Sequence, residues 1–136
     1  MKRLTYLAIL EPSADGGYGI SFPDIPGCIS YCKTLDEAQE NAEEAASLHI
    51  YGLEEDGEPI PEPTIEYKVD CMVGNIIMPV TIHPDLYRAR RDNERVRTNI
   101  TIPAWLKKEA EANNVNYSRI LETALLEYLK IPFKYR

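Results

Sequence analysis

The sequence predicts an α+β chain in two parts: a small sheet-and-helix domain over residues 1–82 and a strand followed by two short helices over 95–136. Three observations carry this. Strand-forming runs alternate with turn residues as far as Cys32, a long segment of 3.6-residue periodicity follows, and a strictly alternating stretch opens the C-terminal part.

Leu4–Leu10 is rich in strand formers and reads as a first strand. Pro12, Asp15, Gly16 and Gly17 form a turn, Tyr18–Phe22 alternates as a second strand, and Pro23–Gly27 breaks it before a third strand, Cys28–Cys32. The next segment is a helix. Thr34 and Glu37 have capping-box spacing, in which each side chain satisfies the other's orphan N–H. Leu35, Ala38, Ala42, Ala45, His49 and Leu53 then recur at steps of three and four as one apolar stripe. Glu37, Glu40, Glu43, Glu44, Glu54 and Glu55 lie off that stripe, giving an acidic outer face. Asp56-Gly57 and the prolines at 59, 61 and 63 end the helix. Ile65–Val69 and Ile76–Ile82 read as returning strands, so the first domain is a three-stranded meander, one helix and returning strands. Residues 83–94 are polar and basic, a linker or short helix.

Arg95–Ile102 alternates strictly. Val96, Thr98, Ile100 and Ile102 share one face, and Arg95, Arg97, Asn99 and Thr101 the other. Pro103 ends this strand and suits the first turn of a helix over about 104–113, closed by Asn113-Asn114. Asn116 caps a second helix whose apolar residues Ile120, Leu121, Ala124, Leu125, Tyr128 and Leu129 follow the helical period. A unit this small cannot bury a core alone, and a lone strand leaves two open edges. Two copies pairing their strands antiparallel remove both problems, with Trp105 packed in the dimer core. The exposed ribbon face would then enter a DNA major groove, where Arg97 can reach guanine, Asn99 can bridge adenine and Thr101 can meet a base edge or a thymine methyl.

The order Arg-Val-Arg-Thr-Asn-Ile-Thr-Ile-Pro, a helix, and then Val115-Asn116-Tyr117-Ser118-Arg119 resembles ribbon-helix-helix repressors. The resemblance implies base reading by Arg97, Asn99 and Thr101. It also implies phosphate binding around the start of the second helix, by Arg95, Asn116, Tyr117, Ser118 and Arg119. The segment from Gly17 to Cys28, the helix from Thr34 and the exit from Gly52 to Pro63 resemble HicB-type antitoxins, and with Ile102-Pro103-Ala104-Trp105-Leu106 the resemblance covers nearly the whole chain. It implies a partial, non-catalytic ribonuclease-H-like domain that binds a HicA toxin, a small basic ribonuclease. Where the family often has Gly-Asp-Thr before the helix, this chain has Cys32-Lys33-Thr34.

The charge distribution points the same way. Residues 1–80 carry 4 basic and 15 acidic side chains, net −11, whereas residues 81–136 carry 11 basic and 7 acidic, net +4. An acidic half attracts a basic protein and a basic half attracts nucleic acid. Asp24, Glu40, Glu44, Glu54 and Glu55 are the candidate toxin-facing residues, chosen by side of helix.

Enzymatic readings find little support. The expected strands Leu4–Leu10, Tyr18–Phe22 and Cys28–Cys32 hold no carboxylates to converge on magnesium. Cys28 and Cys32 would stand about 13 Å apart on a regular strand, too far for one zinc ion. His49 lies on the apolar stripe, no phosphate-binding glycine loop precedes a helix, and no cofactor is implied. An odd count of three cysteines (28, 32 and 71), with no signal peptide or spanning run, predicts reduced thiols, a cytoplasmic protein and no membrane partner. The expected function is that of an antitoxin, not an enzyme: it would neutralise a HicA-like ribonuclease by direct binding and repress its own operon on operator DNA as a homodimer or a larger assembly. The alternative is a stand-alone ribbon-helix-helix repressor whose N-terminal domain senses a ligand or protein.

Overall fold

The computed structural model describes residues 2–64 and 74–135. The expected strand Ile65–Val69 and Cys71 lie outside the described residues. The chain separates into two compact units, residues 1–91 and 92–136.

Among the described residues, the first unit is a four-stranded antiparallel sheet with one long helix on one face. Its strands are β1 (Leu4–Pro12), β2 (Tyr18–Ser21), β3 (Ile29–Cys32) and β4 (Ile76–Ile82), in the order β3-β2-β1-β4. The meander forms as the turn chemistry predicts, and β1 runs two residues further than expected, carrying Glu11 opposite Gly19. In the β1–β2 turn, Asp15 accepts from the Tyr31 hydroxyl at 2.7 Å and from Gly17 N at 3.1 Å. That contact explains Gly17, because a β-carbon there would lie 2.2 Å from the Tyr31 hydroxyl oxygen. β4 closes the far edge against β1 from Leu4↔Ile82 to Leu10↔Ile76. Alternation assigns Tyr6, Ala8 and Leu10 of β1, Ile20 of β2 and Val80 and Ile82 of β4 to the core, under the helix.

Helix α1 (Leu35–Glu55) corrects the expected stripe. Its buried line is Ala38, Ala42, Ala46 and Ile50, flanked by Ser47 and Glu43, while Ala45 and Leu53 are partly buried, His49 is half-buried and Leu35 is exposed. Small alanines allow the helix backbone to approach the sheet, so the alanine line faces inward and the larger leucines at 35 and 48 remain outside. The expected capping box does not form. Thr34 makes no side-chain cap, and with its backbone extended the Glu37 carboxylate reaches back to Lys33 N at 3.2 Å. Gly57, at φ +69°, ends the helix, its N–H donating to Glu54 O and that of Glu58 to Leu53 O.

Helix α2 (Pro84–Asp92) occupies the stretch read as a linker or short helix, and Pro84 and Tyr87 are buried. Because α2 belongs to the first unit, its arginines count there. Residues 1–91 carry net −9 and residues 92–136 net +2, a smaller contrast than a division at residue 80 gives.

The second unit contains α3 (Ala104–Ala112), α4 (Tyr117–Tyr128) and a 3-10 turn, Phe133–Tyr135. Pro103 stands one residue before α3, its carbonyl accepting from Leu106 N and Lys107 N at 3.1 Å. Asn114 adopts φ +53° and closes α3, with its N–H donating to Glu111 O and that of Val115 to Ala110 O. No described helix is long and apolar enough to cross a membrane.

Candidate partner and nucleic-acid interfaces

In the second unit, Arg95–Ile102 makes no ladder with any described strand. Arg97, Asn99 and Thr101 are exposed, and so are Val96, Ile100 and Ile102 of the opposite face. Neither α3 nor α4 contains a buried residue. Trp105, expected in a dimer core, is 68% exposed in the single chain. Ile100 and Ile102 instead line one side of an open groove of about 520 Å³ whose other walls are Leu106, Ala110, Ile120 and Leu121. Apolar surface of this extent leaves the unit without a core of its own.

The expected phosphate ligands are brought together in part. Asn116 caps α4, its Oδ1 accepting from Arg119 N at 3.0 Å. Arg95, Asn116, Ser118 and Arg119 line one polar groove, together with Glu122 and Thr123. Glu122 is a member that sequence reasoning missed: its carboxylate pairs with Arg95 at 3.0 Å. No local pattern joins positions 95 and 122. Tyr117 lines a different groove, with Asn99, Thr101 and Lys107, and its hydroxyl donates to Lys107 O at 3.4 Å.

The five acidic candidates of the first unit divide by environment. Asp24 accepts from Thr64 N at 2.8 Å and from Thr64 Oγ1 at 2.7 Å, an anchor for the chain leaving α1. Glu54 and Glu55 both pair with Arg88 of α2. Glu40 and Glu44 are exposed and make no ion pair among the described residues. Arg88 and Arg91 also lie over the Tyr51 ring, each 4.8 Å from its centroid. This cluster was invisible in the sequence because it joins residues more than thirty positions apart.

The thiols at 28 and 32 are core groups. Both are buried, and burial pushes the Cys28 thiol up to about 11 and raises that of Cys32, so neither is activated as a nucleophile.

A family described as HicB-like antitoxin of bacterial toxin–antitoxin system matches residues 6–124. The chain belongs to the HicB-like antitoxin family. Among its relatives is an uncharacterized 14.9 kDa protein from the rep-hol intergenic region of Haemophilus phage HP1, 40% identical over 104 residues, or 76% of each chain. The antitoxin HicB3 crystal structure is similar at a TM-score of 0.52 and 30% identity, covering 94% of this chain and 98% of that one. A chain in a HicA3 and HicB3 toxin–antitoxin complex is similar at a TM-score of 0.51 and 32% identity, over 60% of this chain and 100% of that one. The matched residues of this HicB-like antitoxin span both compact units.

Proposed function

We propose that this HicB-like antitoxin neutralises a HicA-like ribonuclease toxin by binding it through residues 1–91, and represses its own operon by binding operator DNA through residues 92–136. The unpartnered segment Arg95–Ile102 carries the DNA half of the reading. Its alternation puts Arg97, Asn99 and Thr101 on one face, and Ile100 and Ile102 of the other border a groove suited to a second copy. Two such segments paired antiparallel have the dimensions of a major-groove ribbon. The groove holding Arg95, Asn116, Ser118 and Arg119 combines two guanidinium groups with the N-terminus of a twelve-residue helix, a setting for a backbone phosphate.

The toxin half is supported by likeness to a chain found in a toxin–antitoxin complex and by the net charge of −9 on residues 1–91. The strand order with α1 on one face accords with a partial ribonuclease-H-like domain, although β4 runs antiparallel to β1 and not as a parallel crossover strand. Inhibition would act by occlusion, with electrostatic attraction speeding encounter and apolar contacts supplying affinity.

Arg97→Ala and Asn99→Ala in the full chain test the division of labour. Each should weaken binding to operator duplex by about 1–3 kcal/mol while leaving toxin binding intact. Equal loss of both activities contradicts the assignment, and the absence of any toxin complex leaves the repressor alone.

A further inference from the structure

The outward face of α1 carries a leucine and a glycine that the described fold does not use. Leu48 lies on the side opposite the buried line Ala38, Ala42, Ala46 and Ile50, and 50% of its surface is exposed. Glu44 and Glu40, one and two turns back, are exposed beside it. Gly52, one turn on, lies within the helix: its carbonyl accepts from Asp56 N at 3.0 Å, and the left-handed terminus is supplied by Gly57. Glycine inside a helix is less stable than alanine. A β-carbon at Gly52 would meet nothing within 4 Å among the described residues, so no packing there asks for glycine. A bare helix backbone does suit the close approach of a second chain.

The C-terminal end of this face already holds a basic helix. Arg88 and Arg91 of α2 stack over Tyr51, and Arg88 pairs with Glu54 and Glu55. Glu40, Glu44 and Leu48 continue the surface toward the helix N-terminus with the same acidic and apolar character, but without a covering element among the described residues. Of the acidic residues that sequence reasoning selected, these two glutamates are the ones not already engaged by Thr64 or Arg88.

We infer that Glu40, Glu44, Leu48 and Gly52 form the seat for a basic helical segment of the toxin, which lies beside α2 on α1. Leu48 is the apolar anchor, the two glutamates pair with lysine or arginine of the partner, and Gly52 is the point of closest backbone approach. The inference rests on the antitoxin reading and specifies the surface and the chemistry of the partner segment.

The test uses the full chain and a catalytically inactive HicA-like toxin, with affinity and association rate measured by biolayer interferometry. Leu48→Asp should lower affinity at least tenfold. Paired Glu40→Lys and Glu44→Lys should slow association and flatten its salt dependence. Gly52→Ala is the discriminating variant: it should raise the thermal midpoint yet weaken toxin binding. A purely structural position would not separate the two. Glu58→Gln, exposed outside the helix, serves as the unchanged control. Folded variants that all bind toxin like the wild type overturn the seat while leaving the antitoxin reading intact. A wild-type chain that binds no toxin overturns that reading itself. Loss of self-association in Leu48→Asp without toxin present assigns the face to a second copy and overturns the proposal.

Discussion

Arg95 and Glu122 are ion-paired at 3.0 Å in the groove that also carries Asn116, Ser118 and Arg119. A carboxylate therefore holds the guanidinium that the DNA reading assigns to a phosphate. Both side chains are largely exposed, so the pair contributes about 0–1 kcal/mol to stability. Glu122→Gln should leave the thermal midpoint nearly unchanged and tighten operator binding several-fold at low salt, as read by fluorescence anisotropy. Arg95→Ala should weaken binding uniformly across sequences and reduce the salt slope by about one. Unchanged affinity in both variants would remove this groove from the phosphate contacts.

The second unit should depend on association. With α3 and α4 lacking buried residues, the apolar groove at Ile100 is the surface that a second copy would cover. Ile100→Glu should shift the full chain toward monomer in analytical ultracentrifugation and abolish operator binding. A dimer of undiminished stability would place self-association elsewhere.

Tyr6 gives the first unit an alkaline limit. Its ring is buried, its hydroxyl donates to Pro61 O at 2.6 Å, and burial, then the charges of Asp24 and Glu62, push its pKa up to about 12 from 10.0. A raised folded-state pKa means that the unfolded chain loses this proton first. The contribution is complete below pH 10 and falls away as pH rises toward 12. Cys28, raised from 9.0 to about 11, acts in the same direction from a lower pH. Denaturation midpoints measured between pH 8 and 11.5 should fall with rising pH, and Tyr6→Phe should flatten the upper part of that dependence (a slope unchanged in Tyr6→Phe assigns it to Cys28 and other groups). The same variant should cost about 0.5–1.5 kcal/mol near neutrality through the lost hydrogen bond.

Lys130 is the least comfortable helix terminus in the chain. It holds φ +55° after α4, with its N–H donating to Glu127 O and that of Ile131 to Leu126 O. Gly57 fills the corresponding place after α1 and Asn114 after α3. Glycine and asparagine enter the left-handed region readily, whereas a lysine costs roughly 1 kcal/mol there. Lys130→Gly should therefore stabilise the second unit by about that amount in chemical denaturation, and destabilisation would mean that the lysine side chain has a role of its own.

The three caps show which signals were legible. Asp56-Gly57, Asn113-Asn114 and Asn116 depend on hydrogen bonds within a few residues, so the sequence identified each, and the structure forms all three. The capping box failed because Thr34 follows β3 in an extended conformation, so that Glu37 reaches Lys33 N instead. The helix phase held at Ala38 and Ala42 and then slipped by one residue: the stripe passed through Ala45 and His49, whereas Ala46 and Ile50 face the sheet and Leu35 faces outward. In the candidate sites, the proposed set Arg97, Asn99 and Thr101 comes from alternation and resemblance, whereas the pairings of Glu122 and Arg88 had no local signal, since each meets its partner through a chain reversal.

The sequence by itself determined the three-strand meander, the helix that follows it, the strand Ile76–Ile82, the two C-terminal helices, the alternation of residues 95–102 and the acidic-to-basic gradient along the chain, because each depends on neighbours or on simple counting. Tertiary structure decided which side of α1 is covered, that β4 joins β1 antiparallel, and that Arg88 pairs with Glu54 and Glu55 while Glu40 and Glu44 stay open. Those outcomes follow from how close two backbones can pack and which charges then meet. Both are properties of elements brought together in space, and neither is fixed by the local run of residues.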